Sequence, residues 1–372
     1  MVLVGTFSSR FCWGRAGHWG PAYELMLTES TSLDYCDVDN GNIEDAGRSD
    51  HDIAGYSASD RGESVVGRSP VLTAAGLLMT GVLAASLIGL LVDPRVITGA
   101  PAWLKPTKFA VSTAIYMLTL AWIFTLLPEW PRMRRIVGWM AAVIFVLEVA
   151  IIDTQAWRGT TSHFNIGTTL DLVLFAIMGT AIAVQTLSSV AVAVALWRQR
   201  FDDRALGWAL RLGLVITIVG ASTGWLMTRP TAAQLNEART TGQMAIAGSH
   251  TVGAPDGGPG LPGTGWSVQH GDVRIPHFVG LHAMQILPLL ALVLRRRRSD
   301  DVARVRVVIV AAASYLALFA ILLWQALRGQ SFVQPDGHTI AALLGWVILS
   351  AIGAWFAAAR RARTGSRAIA MA

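Results

Sequence analysis

Lysine and cysteine are nearly missing from this chain. Among 372 residues there are two cysteines, Cys12 and Cys36, and two lysines, Lys105 and Lys108. Both cysteines precede the first long apolar run, so the rest of the chain has no thiol for a disulfide, an iron–sulfur cluster or a cysteine-based zinc site. Charge is scarce as well: 15% of residues are charged, against about 25% in an ordinary soluble domain. That deficit excludes disordered chains and soluble dehydrogenases. There is no Walker loop, no dinucleotide-type glycine pattern, no Gly-x-Ser-x-Gly elbow and no CxxCH haem attachment.

What is present is apolar: 53% of residues are hydrophobic and the mean hydropathy is +0.48. The apolar residues gather into eight runs, each long enough to cross roughly 30 Å of hydrocarbon. The runs are Pro70–Val92, Thr107–Leu127, Arg135–Ala156, Thr169–Trp197, Leu206–Met227, His277–Leu294, Val302–Leu327 and Thr339–Ala359. The sequence therefore predicts an all-α polytopic integral membrane protein with eight transmembrane helices. Residues 1–69 differ in kind, holding 5 arginines against 11 acidic residues with no apolar periodicity. They read as a disordered acidic cytoplasmic tail, with Met26 an alternative start.

The connections after the second, fourth and sixth spans, with the C-terminal tail, carry 17 basic residues, against 8 in the other four connections. By the positive-inside rule both termini are cytoplasmic and the protein sits in the plasma (inner) membrane. The connections after spans one, three, five and seven, including a long Gly/Pro-rich loop at 228–276, then face outward. Within them Gln155-Ala156-Trp157-Arg158-Gly159 recurs as Gln325-Ala326-Leu327-Arg328-Gly329, 170 residues later. At an offset of 169, Lys105, Lys108 and Phe109 fall on Arg274, His277 and Phe278. These recurrences predict two like-oriented four-helix repeats, 70–198 and 199–372, related by an axis along the membrane normal.

Outward basic side chains run against the topogenic bias, so Arg158, Arg274 and Arg328, with Lys105 and Lys108, are expected to bind an anion. A guanidinium can grip a carboxylate or phosphate with two parallel hydrogen bonds. Within the third span, Glu148, Asp153 and Gln155 are costly in hydrocarbon, and Glu148 is a candidate for proton transfer. Asp171 reads as a cap on the fourth span. Of eight histidines, His163, His277, His282 and His338 stand at or just inside the outer boundary. His277 and His282 are five apart, so they do not chelate one ion as an i, i+4 pair does. His282, deeper and on the face of Gln285, is a candidate haem ligand, proton carrier or polar core residue.

Two four-helix halves with histidines on the sixth and eighth spans resemble the architecture of haem A synthase and its relatives. That resemblance implies His282 and His338 as a haem pair in the second half, while Thr113 and Thr168 stand where the first-half histidines would be. The leading expectation is accordingly a redox or cofactor-binding protein, a membrane oxidoreductase if an enzyme. It would hold one b-type haem on His282, or a quinone, with His277, His338, Arg158, Arg274 and Arg328 lining the site and Glu148 and His282 acting chemically. The alternatives are a non-redox enzyme or carrier for an anionic lipid, and a structural partner of a membrane complex. The expected partners are the lipid bilayer and an amphipathic anionic ligand, with no nucleic acid.

Overall fold

The computed structural model describes residues 69–296 and 300–369, and side-chain surroundings as far as 357. The acidic tail predicted for 1–69 lies outside the described residues except at Ser69. The described chain is helical, in the order α1 (Pro70–Val92), α2 (Leu104–Thr125), α3 (Pro131–Trp157), α4 (Thr169–Arg198) and α5 (Arg204–Ser222). Two short helices follow, α6 (Gly224–Met227) and α7 (Ala232–Thr241), then α8 (Arg274–Leu281), α9 (Ala283–Arg296), α10 (Asp301–Leu327) and α11 (Gly337–Ile369). Among the described residues seven helices are long and apolar enough to span a membrane, or eight if the bent pair α8 and α9 is one span. The faces that α1, α4 and α11 leave exposed are apolar, as lipid requires: Leu77, Ile88, Leu187, Val347 and Leu349 all lie open.

Helix α1 packs against α2 and α3, α2 against α3, and α3 against α4; likewise α5 packs against α8–α9 and α10, α9 against α10, and α10 against α11. Helices α4 and α5 join the two sets. The main core, with Leu72, Met117, Phe124, Leu196, Leu210 and Leu287 among its members, runs through both sets.

The sixth span, continuous in the sequence reading, is bent by 42° at His282. Pro288 in α9 cannot donate to the ladder. Thr217 of α5 supplies the missing partners at the bend: its hydroxyl donates to Leu281 O at 3.2 Å and accepts from Met284 N at 3.1 Å. A side chain inserted into the i to i−4 ladder is an established cause of a kink. Removing that hydroxyl with Thr217→Val should strand a buried donor and cost about 1–3 kcal/mol. Detergent unfolding of the purified variant measures this, and an unchanged midpoint would contradict the role given to Thr217.

The connections 93–103, 158–168, 223–273 and 328–336 meet at one end of the bundle. Ile166 N donates to Ala245 O, Arg95 Nη1 to Trp157 O, and Ser331 Oγ to Val268 O. Two small antiparallel pairs form there, β1 (Val96–Ile97) with β2 (Ala100–Pro101), and β3 (Thr251–Val252) with β4 (Gly271–Asp272). The Gly/Pro-rich stretch read as a loop is thus folded and tied to its neighbours. At the opposite end, Arg304 pairs with Asp203 at 3.1 Å and with Asp301 at 2.9 Å.

Candidate functional site

Under the joined connections lies a cavity of about 1500 Å³. Its walls come from α2, α3, α4, α5 and the α8–α9 bend, and its roof from the 228–276 connection. Lys105, Lys108, Phe109, Glu148, His163, His250 and His277 line it near the connections; Tyr116, Met178, Ile182 and Gln185 line it farther along the helices. From Lys105 to Tyr116 the cavity follows α2 for about 16 Å at 1.5 Å per residue.

The outward arginines do not present free forks to this space. Arg274 grips Asp272 through its backbone N–H, Nε and Nη2, the last at 2.6 Å, and Nη2 also donates to Gly265 O at 2.7 Å. Asp272 is 1% exposed and accepts in addition from Ser267 N at 2.8 Å. Arg158 donates to Asp171 at 2.7 Å and to the Gln155 side-chain oxygen. Arg328 donates to Asp336 at 2.6 Å and to Gln330 at 2.9 Å, with its guanidinium 4.0 Å over the Trp324 ring. Arg95 closes on Asp93 as Arg274 does on Asp272, and its guanidinium holds the Asp93 carboxyl well below the usual carboxylate range. Of these, only Arg274 lines the cavity. The sequence reading put a ligand acid on Arg158, Arg274 and Arg328; the chain's own carboxylates occupy all three.

Asp171 sits in the first turn of α4, where Thr168 is the N-cap. The Thr168 hydroxyl accepts from Asp171 N at 3.1 Å and donates to the Asp171 carboxylate at 2.7 Å. Gln155 Nε2 adds a further bond at 2.8 Å. This network fastens the end of α3 to the start of α4.

The lysines are different. Lys105 has neither ion pair nor hydrogen bond among the described residues, and its ammonium lies 5.9 Å from the centre of the Phe109 ring. Lys108 donates to the Thr264 carbonyl at 2.6 Å and faces no carboxylate within ion-pair distance. Beside them Glu148, 2% exposed, has Oε1 3.5 Å from His163 Nε2, while its Oε2 is buried without a partner. His163 bonds through Nδ1 to Ser162 Oγ at 3.1 Å, and its ring packs against those of Phe109 and Phe164. Burial, and then the positive charge of Lys105, push its pKa well below the ordinary histidine value, so the ring is neutral at pH 7.

His250, in the long connection, bonds through Nδ1 to Asp256 at 2.7 Å. Burial lowers its pKa more than Asp256 raises it. Asp256 also accepts from the backbone N–H groups of His250 and Thr251. Burial alone would raise the Asp256 carboxyl; these donors outweigh it and keep the group ionised. His277 directs Nδ1 to Gly220 O at 3.0 Å and to Thr223 Oγ1 at 3.2 Å.

His282 stands half-buried at the α8–α9 bend and lines the cavity. His338, exposed at the start of α11, is not among the lining residues. The pair implied by the haem A synthase resemblance is therefore not gathered into one cavity. Sequence reasoning missed His250, whose partner Asp256 lies six residues on in a stretch read as loop. It also missed the pairing of Glu148 with His163. Among the described residues no group of three His, Cys, Asp or Glu side chains is placed to hold a metal ion. The chain matches no protein-family model, no curated protein and no solved structure.

Proposed function

We propose that this is a membrane enzyme or carrier whose cavity binds an amphipathic anion, with the apolar part among α2, α3, α4 and α5 and the acidic head beside Lys105 and Lys108. The observation that carries the reading is a large cavity with two lysines in its lining near the connections and neither one ion-paired. A binding site of this kind has mostly apolar walls and a few convergent polar groups. A cation without a counter-ion in low dielectric is costly, and an incoming carboxylate, phosphate or sulfonate relieves that cost. The arginines, satisfied by Asp272, Asp171 and Asp336, hold the roof and the helix ends in place.

The test is binding of decyl phosphate to the protein in phosphatidylcholine nanodiscs, with protein-free discs as blank. Wild type should bind saturably, and Lys105→Gln should weaken binding by about tenfold or more, equivalent to about 1.4 kcal/mol. No saturable binding, or equal binding by the Lys105→Gln/Lys108→Gln double variant, would overturn the reading.

The basic asymmetry supports placing the cavity end on the outer face of the plasma membrane, with both termini in the cytoplasm. A single cysteine at Gly258, in a background with Cys12 and Cys36 replaced by serine, should react with an impermeant maleimide from outside. Reaction only after permeabilisation would reverse the topology. Two like-oriented four-helix units remain part of the proposal. Support comes from the matching order of helix packing, and from the ends of α3 and α10. There Gly159 and Gly329 both turn at positive φ, and Gln155 and Gln325 both donate to the carbonyl six residues on.

A haem or other redox cofactor is the second reading, and one observation favours it. With Nδ1 of His277 on the Gly220 carbonyl, Nε2 has no protein partner among the described residues, as an axial ligand requires. Haem would then supply one-electron chemistry, and His277 rather than the His282 and His338 pair would hold it. A Soret band after haem reconstitution, lost in His277→Ala, is the result this reading requires.

A further inference from the structure

The Glu148–His163 pair plays no part in gripping an acidic head group, yet it lines the same end of the cavity as Lys105. Glu148 is delivered by α3 and His163 by the connection to α4, so the pair forms only when that connection folds back over the helix end. The distance of 3.5 Å between Oε1 and Nε2 is long for a hydrogen bond and short enough to tighten if the ring gains charge. The other carboxylate oxygen is buried without a partner, an arrangement native proteins rarely keep without a use. Ser162 Oγ holds Nδ1, which fixes the ring with Nε2 toward the carboxylate.

We propose that His163 takes up one proton when an acidic head group binds beside Lys105, with Glu148 as the positioning residue that receives the imidazolium. This rests on the reading of the cavity as an anion site. The groups that face His163 are Lys105 from α2, Glu148 from α3, His250 from the long connection and His277 from α8. Burial first, and then the positive charge of Lys105 ahead of those of His250 and His277, oppose protonation of the ring. A bound anion cancels that potential, leaving Glu148 as the dominant neighbour. His250 is committed to Asp256 and His277 to Gly220, so neither competes for the role. By linkage, a site that takes up a proton on binding must bind more tightly as pH falls, and anion and proton then enter the cavity together.

The probe is decanesulfonate, whose head group does not titrate near neutral pH, so any proton taken up belongs to the protein. Calorimetry on the nanodisc-embedded protein in two buffers of different ionisation enthalpy counts the protons. Wild type should take up about one proton per bound anion, and its Kd should rise by up to about tenfold per pH unit above neutrality. His163→Gln should still bind, with a flat pH profile and no uptake. Glu148→Gln should reduce the uptake while retaining binding, and His338→Gln, exposed and outside the cavity lining, should leave it in place. Binding by wild type without uptake, or uptake unchanged in His163→Gln, would overturn the proton assignment and leave the cavity reading standing. If neither decanesulfonate nor decyl phosphate binds, both fall.

Discussion

Gly220→Val should unfold or misassemble the second set of helices, costing more than about 3 kcal/mol. Helices α5 and α8 cross at Gly220 and Gly280, and a β-carbon built on Gly220 would lie 2.6 Å from both the Cα and the carbonyl carbon of Gly280. These are backbone atoms, so no side-chain rotation can relieve the clash. The two helices would have to separate, and the Thr217 bonds at the bend and the His277 bond to Gly220 O would go with them. Close approach through small residues is also how membrane helices gain packing where lipid supplies no hydrophobic drive. The control is Gly81→Ala on the exposed face of α1, where nothing lies within 4 Å of the new atom. It should be neutral or stabilise by up to about 1 kcal/mol. Unfolding by titrated dodecyl sulfate, followed through tryptophan fluorescence, compares them; equal midpoints for the two variants would remove the crossing from the account.

Asp272→Ala should be nearly as damaging, at about 3–5 kcal/mol, because it leaves the Arg274 guanidinium partly buried with no counter-charge. Asp272 is where the roof is fastened. It accepts from Arg274, anchors Ser267 N, and pairs across β3 and β4 with Thr251. Its neighbour Gly271 packs so closely that a β-carbon there would stand 2.0 Å from Ala326 O. Proteolysis of the 228–276 connection should accelerate in step with the loss of stability. The double variant Asp272→Ala/Arg274→Met should recover most of that loss, since removing both charges removes the desolvation penalty with them. If the single and double variants were equally stable, the ion pair would not be what holds the roof.

The arginines show how far local sequence carries. Asp93 and Arg95, like Asp272 and Arg274, are two residues apart, and each pair closes on itself in the same way. Those pairings were within reach of the sequence. Arg158 and Asp171 are thirteen apart, and Glu148 and His163 fifteen. Their meeting depends on the path of the connection between α3 and α4, for which the residues offer no periodic signal. The guanidiniums therefore read as available to a ligand when the chain's own acids already hold them. Lys105 and Lys108 were expected from the sequence to meet an anion alongside the arginines; that these two, of the five, lack an ion pair depends on packing between segments.

Although α11 runs on to Ile369 beyond the expected Ala359 and the short helices α6 and α7 had no signal of their own, length and hydropathy along the chain already dictate a helical, membrane-spanning protein and place most span ends within about five residues. That follows because transfer of some twenty apolar side chains into hydrocarbon, with every backbone group bonded inside its own helix, is decided one segment at a time. Packing between segments sets the bend of α8 against α9 at His282, the folding of the long connection into a roof, and which charges stay unpaired beneath it. Those outcomes turn on contacts between segments distant in the chain: Thr217 with Leu281 and Met284, Gly220 with Gly280, and His163 with Glu148. Hydropathy is a property of one segment, whereas a cavity and its unpaired lysines belong to the packing of several.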